Sequence, residues 1–151
     1  MTAPIDLVDA VIHRLGGEVP DLAGAEDALQ LADLLERGVL PQRFPHAFVL
    51  PVGDDAEANV ILTGAVRQRV VETVGVLLID KHAGERTGGK VRAALEPIKA
   101  EVREALVGWA PDPDYSPLEL VRTRLVGLAG GAAFVQLDFR TAWHLRQTLA
   151  A

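Results

Sequence analysis

The chain of 151 residues contains no cysteine. No disulfide holds it together, and no thiolate serves as metal ligand or nucleophile. Ser116 is its single serine, set in the proline-rich stretch APDPDYSP without a glycine elbow, so serine-nucleophile hydrolysis finds no support. There is no HExxH, and His46, His82 and His144 are scattered along the chain rather than set at metal-ligand spacing. Positive charge is also scarce. A net charge of −6 argues against general nucleic-acid binding, which requires clustered Lys and Arg to neutralise phosphates. No apolar run approaches the about 20 residues that a membrane-crossing helix needs. The N-terminus, MTAPIDLVDAVIHRL, has acidic residues and helical spacing in place of a basic start and an uninterrupted apolar stretch, so it does not read as a signal peptide.

What is present is an apolar fraction of 49% against 24% charged residues, the balance of a globular chain. The length fits one domain, 1–151, able to bury a core without staples. The most informative stretch is Gly64 to Asp80, GAVRQRVVETVGVLLID. Val74 to Ile79 is apolar on both alternating sides, which predicts a strand buried on both faces. The half before it alternates. Val66, Val70 and Val74 share one side with Gln68 and Glu72 as polar exceptions, while Arg67, Arg69, Val71 and Thr73 share the other. A long strand with a buried base and a half-polar outer end should project beyond its own core.

Around it, Ile5, Val8, Val11, Ile12 and Leu15 recur at helical spacing and predict a helix ended by Gly16-Gly17. Glu18 to Leu22 reads as a short edge strand. Gly24 to Asp27 opens a second helix with Leu29, Ala32 and Leu35 on one face, widened by Leu31 and Leu34. His46 to Val52 reads as a strand that ends at Pro51 or lies on an edge there. Gly53 to Asn59 reads as an acidic loop; Asp54, Asp55 and Glu57 are hard-cation ligands in type only, without the spacing of a calcium loop. Val91 to Trp109 predicts the longest helix, with Pro97 inside it. Leu118 to Leu128 and Ala133 to Arg146 flank Gly130-Gly131 as a hairpin, and the second strand alternates cleanly from Val135 to Arg146.

The predicted fold is α+β. It has a mainly antiparallel sheet of about four strands with room for one parallel pair, and helices packed on one face. No carboxylate sits in a wholly apolar stretch that would raise its pKa for acid–base work.

One motif approaches a cofactor site. Gly84-Glu-Arg-Thr-Gly-Gly89-Lys90 lies between a strand and a helix, as a phosphate-binding loop does. Val91 occupies the position where a hydroxyl would hold magnesium, so a nucleotide-binding domain using Gly84 to Lys90 is a lesser reading than a solvated loop. Arg67, Arg69, Arg122 and Arg124 would form a basic stripe if their strands were neighbours, but no aromatics interleave with them to stack bases.

The order of these segments resembles the tail terminator (tail completion) proteins of long-tailed phages and prophages. The resemblance is carried by IDLVDAVIHRL, by PHAFVLPVGDDAEAN leading into GAVRQRVVETVGVLLI, by REALVGWAPDPDYSPLELV, and by the hairpin closing on FVQLDFRTAWHLR. It spans nearly the whole chain and includes no catalytic signature. It implies a structural virion protein, not an enzyme, that needs no cofactor or metal. Such a protein is made in the host cytoplasm and forms a homo-oligomeric, hexameric ring on the head-proximal end of the tail tube. The ring ends tube polymerisation and offers the surface that joins the head. Its implied partners are the tube protein and a neck or head-tail connector protein, with DNA passing through without specific binding and no membrane involved. A neck or head-closure protein of the same assembly is the alternative. On this reading Arg67, Arg69 and Glu72 are expected to meet the adjacent subunit. His82, Glu85, Arg86 and Lys90 are expected to face a stacked ring, and Asp54, Asp55 and Glu57 form a third contact.

Overall fold

The computed structural model describes residues 3–81, 89–129 and 131–149. Its elements follow the order α1 (Leu7–Glu18), β1 (Gly24–Asp27), α2 (Ala28–Glu36), β2 (His46–Ala56), β3 (Ala65–Lys81), α3 (Gly89–Leu106), β4 (Glu119–Ala129) and β5 (Ala132–Thr148). The class is α+β, as the segment order predicts. The sheet has five strands, not about four, in the order β1-β2-β3-β5-β4.

The extra strand is Gly24–Asp27, which pairs parallel to β2 from Gly24 opposite His46 to Asp27 opposite Val49. The segment expected as a strand, Glu18 to Leu22, lies outside it. Helix α1 runs through Gly16 and Gly17 to Glu18, where Val19 is buried and its N–H donates to the Leu15 carbonyl. Burial of Val19 outweighs the glycines' weak helix preference. The parallel pair is thus connected by α2, not by the long helix. Helix α3 links β3 to β4, which are separated in the sheet by β5.

The helices occupy both faces, which corrects the expectation of a single helical layer. Helices α1 and α3 cover the face carrying Val49, Val74, Val76, Val135, Leu137 and Phe139, and this is the main core. Arg14 Nε on α1 donates to the Ala105 carbonyl near the end of α3, 2.9 Å away, and the guanidinium lies over the Trp109 ring. Helix α2 sits on the opposite face, where Leu31 and Leu34 pack on Phe48, Leu77 and Ile79. Its buried stripe therefore differs from the expected one: Leu29 is 76% exposed and Leu35 is 54% exposed. A nine-residue helix crossing one corner of a sheet needs only the two leucines beneath it.

Strands β3 and β5 pair over seventeen positions, from Ala65 opposite Thr148 to Lys81 opposite Ala132. The outer half of β3, Arg67 to Thr73, is strand throughout. Strand β2 also runs on past Pro51 to Ala56, with a shift in register between Pro51 and Gly53. Asp54 and Asp55 are therefore strand residues opposite Glu72 and Val71, not part of a loop. Pro51 is tolerated because β1 ends its pairing at Val49, leaving β2 an edge strand from there on. Gly131 closes the last hairpin at φ 81, a conformation glycine adopts without a side-chain clash.

A candidate assembly surface

The β3 alternation assigns the outer sheet two unlike faces. On the face continuous with the main core, Val70, Tyr115 and Trp143 form a small buried cluster, joined by Ala3, Ile5 and Leu145. Tyr115 arrives from the proline-rich connector, and the chain preceding α1 supplies Ile5. Glu72 faces this cluster. The Tyr115 hydroxyl donates to Glu72 Oε1 at 2.9 Å and lies 3.3 Å from the Ile5 carbonyl oxygen. Burial pushes the Glu72 carboxyl above its ordinary 4.5, opposed by the Tyr115 hydrogen bond, which favours the charged form. Burial and the neighbouring Glu72 also push the Tyr115 phenol up. No carboxylate sits in a wholly apolar stretch of sequence, and Glu72 is raised all the same because its cover comes from Tyr115 and Ile5, both distant in sequence.

A pH dependence follows. The folded protein holds the Glu72 proton more tightly than the unfolded chain does. Glu72's contribution to stability is therefore full below about pH 4.5 and is lost as pH rises through its folded-state value. The variant Glu72→Gln, which keeps an acceptor for Tyr115, is expected to gain stability over the parent at roughly pH 8 and not at roughly pH 4. Urea unfolding at both pH values measures this; an equal difference at the two would refute it.

The other face of the outer sheet has no helix over it among the described residues. It carries Arg67 and Arg69 from β3, Arg140, His144 and Arg146 from β5, and Arg122 and Arg124 from β4, as the register requires. The stripe imagined from Arg67, Arg69, Arg122 and Arg124 on neighbouring strands is corrected in one respect: β5 separates the two pairs. Carboxylates are interleaved with these cations. Arg69 Nη1 lies 2.8 Å from Glu57 Oε1, Arg140 Nη2 3.1 Å from Glu119 Oε2, and Arg122 Nε 3.0 Å from Asp138 Oδ2. This is a cross-strand ladder of ion pairs, and the pairing lowers the field available to hold a polyanion.

Asp138 was legible only as an outward-facing polar residue of the alternation, yet it is 1% exposed. Gln136 Nε2 donates to its other carboxylate oxygen at 2.8 Å. Gly75 stands opposite Asp138 on β3, and a Cβ there would lie 3.1 Å from both Asp138 Oδ1 and Gln136 Nε2. The glycine leaves the space in which these polar groups meet. Neither Asp138 nor Tyr115 has a local sequence signal, apart from Tyr115 being the only tyrosine.

Among the stacked-ring residues, His82, Glu85 and Arg86 lie outside the described residues, as do Gly84 and Gly88 of the phosphate-loop motif. Lys90 is exposed in the first turn of α3. Among the described residues no group of His, Asp and Glu could hold a metal ion, and no helix is long and apolar enough to cross a membrane. Among the described residues one concavity lies between α3 and β4, lined by Leu95, Lys99, Thr123 and Leu125, and a larger one lies beside α2 and the segment after it, lined by Leu34, Arg37, Pro41 and His46.

The family model described as "Phage tail terminator protein" matches residues 1–149. The chain belongs to the phage tail terminator family. It is accordingly a structural phage-tail protein, and the family carries no implication of catalysis. No curated protein matches the sequence. Nineteen chains of solved structures match it. One belongs to a structure described as "Virion of native gene transfer agent (GTA) particle". It is 20% identical, with a TM-score of 0.57 over 92% of this chain and 95% of that one. That likeness shows a shared fold over nearly the full length of both chains. Among the described residues no helix covers the outer sheet, and no strand pairs with the outer side of β4 or with β2 beyond Val49.

Proposed function

We propose that this protein forms a ring, sixfold by family resemblance, on the head-proximal end of a phage tail tube. There it ends tube polymerisation and offers the surface to which the head is joined. The family match over residues 1–149 carries the reading. The fold shared with a chain of a gene transfer agent virion agrees with it.

The physical features fit the role. A ring needs a heterologous contact that closes, and the outer half of the β3–β5 sheet extends past its helical cover with Arg67 and Arg69 on its open face. Those two arginines are proposed to meet the neighbouring subunit, while Glu72, bonded to Tyr115, shapes the strand that carries them. Lys90 and the segment from His82 to Arg86 are proposed to face a stacked ring. A net charge of −6 suits a channel through which DNA slides without sticking.

Deleting the gene and imaging purified particles tests the reading. Overlong tails are the expected result. Tails of normal length without heads would move the chain to a neck or head-closure role, and normal tails attached to heads would overturn both.

A further inference from the structure

Among the described residues the sheet ends at β4 on one side and, on the other, at the four-residue β1 and the outer half of β2 that β1 leaves unpaired; β4 and this half of β2 are of opposite character. One is β4, which ends the strand order. No described strand pairs with its outer side, and Leu120, Val121, Leu125, Val126 and Leu128 along it are 38–53% exposed. Its charges are basic beyond Glu119, from Arg122 and Arg124. The register breaks twice, between Leu120 and Arg122 and between Leu125 and Gly127, and each break leaves a valine outside the ladder.

The other edge is the outer half of β2, which β1 abandons after Val49. It is acidic, carrying Asp54, Asp55 and then Glu57. It leads directly into Val60, Ile61 and Leu62, an apolar tip in which Leu62 is 98% exposed. The tip is held in shape. Asn59 accepts from the Ile61 and Arg67 backbone N–H groups, and its side-chain amide donates to the Ile61 carbonyl. An apolar run fixed in an exposed position is costly in a lone subunit, and a long exposed edge strand invites pairing.

We infer that these two edges meet between copies: the acidic outer edge of β2 and the Val60–Leu62 tip of one subunit dock on the basic, apolar edge β4 of the next. Asp55 stands against Arg124, while Arg122 and Glu57 are already paired inside the subunit with Asp138 and Arg69, and apolar side chains line both edges. Because the edges lie at opposite ends of one sheet, the contact is head-to-tail. It propagates around a ring and leaves neither edge open once the ring closes. Asp55 and Arg124 lie on the same uncovered face, since Asp55 is opposite Val71 and Arg124 opposite Gln136, so a shared sheet would bring their side chains to one side. The inference rests on the ring reading and names the surfaces that build it.

The absence of cysteine makes the test direct. Full-length Leu62→Cys, Leu125→Cys and the double variant are assembled on tails and treated with a short bis-maleimide. The double variant is expected to give a ladder of cross-linked copies on a denaturing gel, and each single variant only one-copy bands. A dimer from Leu125→Cys alone, or no ladder from the double variant, overturns the pairing. Amine cross-linking of the same tails separates the two readings. An amine ladder without the maleimide ladder removes this edge assignment and keeps the ring, whereas neither ladder removes the ring as well. Charge exchange is the second arm. Arg124→Glu and Asp55→Lys should each reduce incorporation into tails at least about tenfold, and their combination should restore it. A combination as poor as either single variant overturns the proposed charge contact.

Discussion

Phe139→Ala is expected to lower the stability of the folded subunit by about 3–5 kcal/mol. Phe139 is fully buried on β5, in the core shared by α1, α3 and the central strands, and it pairs with Val74 on one side and Leu120 on the other. Truncation removes the ring's apolar surface from that core. It also leaves a cavity that helices anchored by several other leucines and valines fill only in part. Against a total stability of about 5–15 kcal/mol, the loss is at least about a fifth of the whole. Urea unfolding followed by far-ultraviolet circular dichroism measures it. Leu62→Ala is the control. Leu62 is almost wholly exposed, so its truncation should leave subunit stability within about 0.5 kcal/mol of the parent. If both substitutions cost the same, the assignment of Phe139 to the core is wrong. The pair also separates two kinds of apolar residue in this chain, those that hold the subunit together and those available to hold subunits to each other.

Gly75→Val is expected to cost about 3 kcal/mol or more. A Cβ at residue 75 would stand 3.1 Å from Asp138 Oδ1, 3.1 Å from Gln136 Nε2 and 3.2 Å from a Leu50 methyl. Gly75 lies mid-strand between β2 and β5, so the backbone has little room to shift. The branched side chain would force Asp138 away from Gln136 and crowd the carboxylate that also accepts from Arg122. Overpacking and a weakened charged hydrogen bond then add. Gly75→Ala should cost less, because it brings one methyl against the same neighbours. Combining Gly75→Val with Asp138→Ala vacates the contested space, and the double variant should be more stable than the sum of the two single losses predicts. Strict additivity would show that the glycine and the carboxylate are not in conflict and would remove this account of Gly75.

The two halves of β3 show how far local pattern reaches. The run Val74 to Ile79 implies two buried faces, and the structure supplies two covers, α1 with α3 on one side and α2 on the other. The alternation from Val66 to Thr73 places Arg67 and Arg69 opposite Glu72, and they do lie on opposite faces. Periodicity conveys this because a strand turns successive side chains to opposite sides whatever packs on them. It carries no information about what the cover is. The alternation marks Glu72 as a polar exception on an apolar side but does not name Tyr115, 43 residues away, whose hydroxyl donates to it, nor the burial that raises its pKa. Helix α2 is present as expected, but its leucines nearly encircle it, so spacing alone could not choose between Leu29 with Leu35 and the packed pair Leu31 and Leu34.

The amino-acid sequence by itself determined the α+β class, the long central strand with unlike halves, the glycine hairpin that closes the sheet, and the absence of thiol and serine-elbow chemistry. Its segment order also pointed to the tail terminator family, because motifs and their succession are properties of the chain as written. Only the tertiary structure decided which side of the sheet each helix covers and that a fifth, parallel strand borders β2. It also decided that Asp138 is buried opposite Gly75, and that β4 and the outer half of β2 end as free edges of opposite charge. Each of these depends on which segments, far apart in sequence, come to lie side by side. Strand order and burial arise from long-range pairing, and a window of local residues does not encode them.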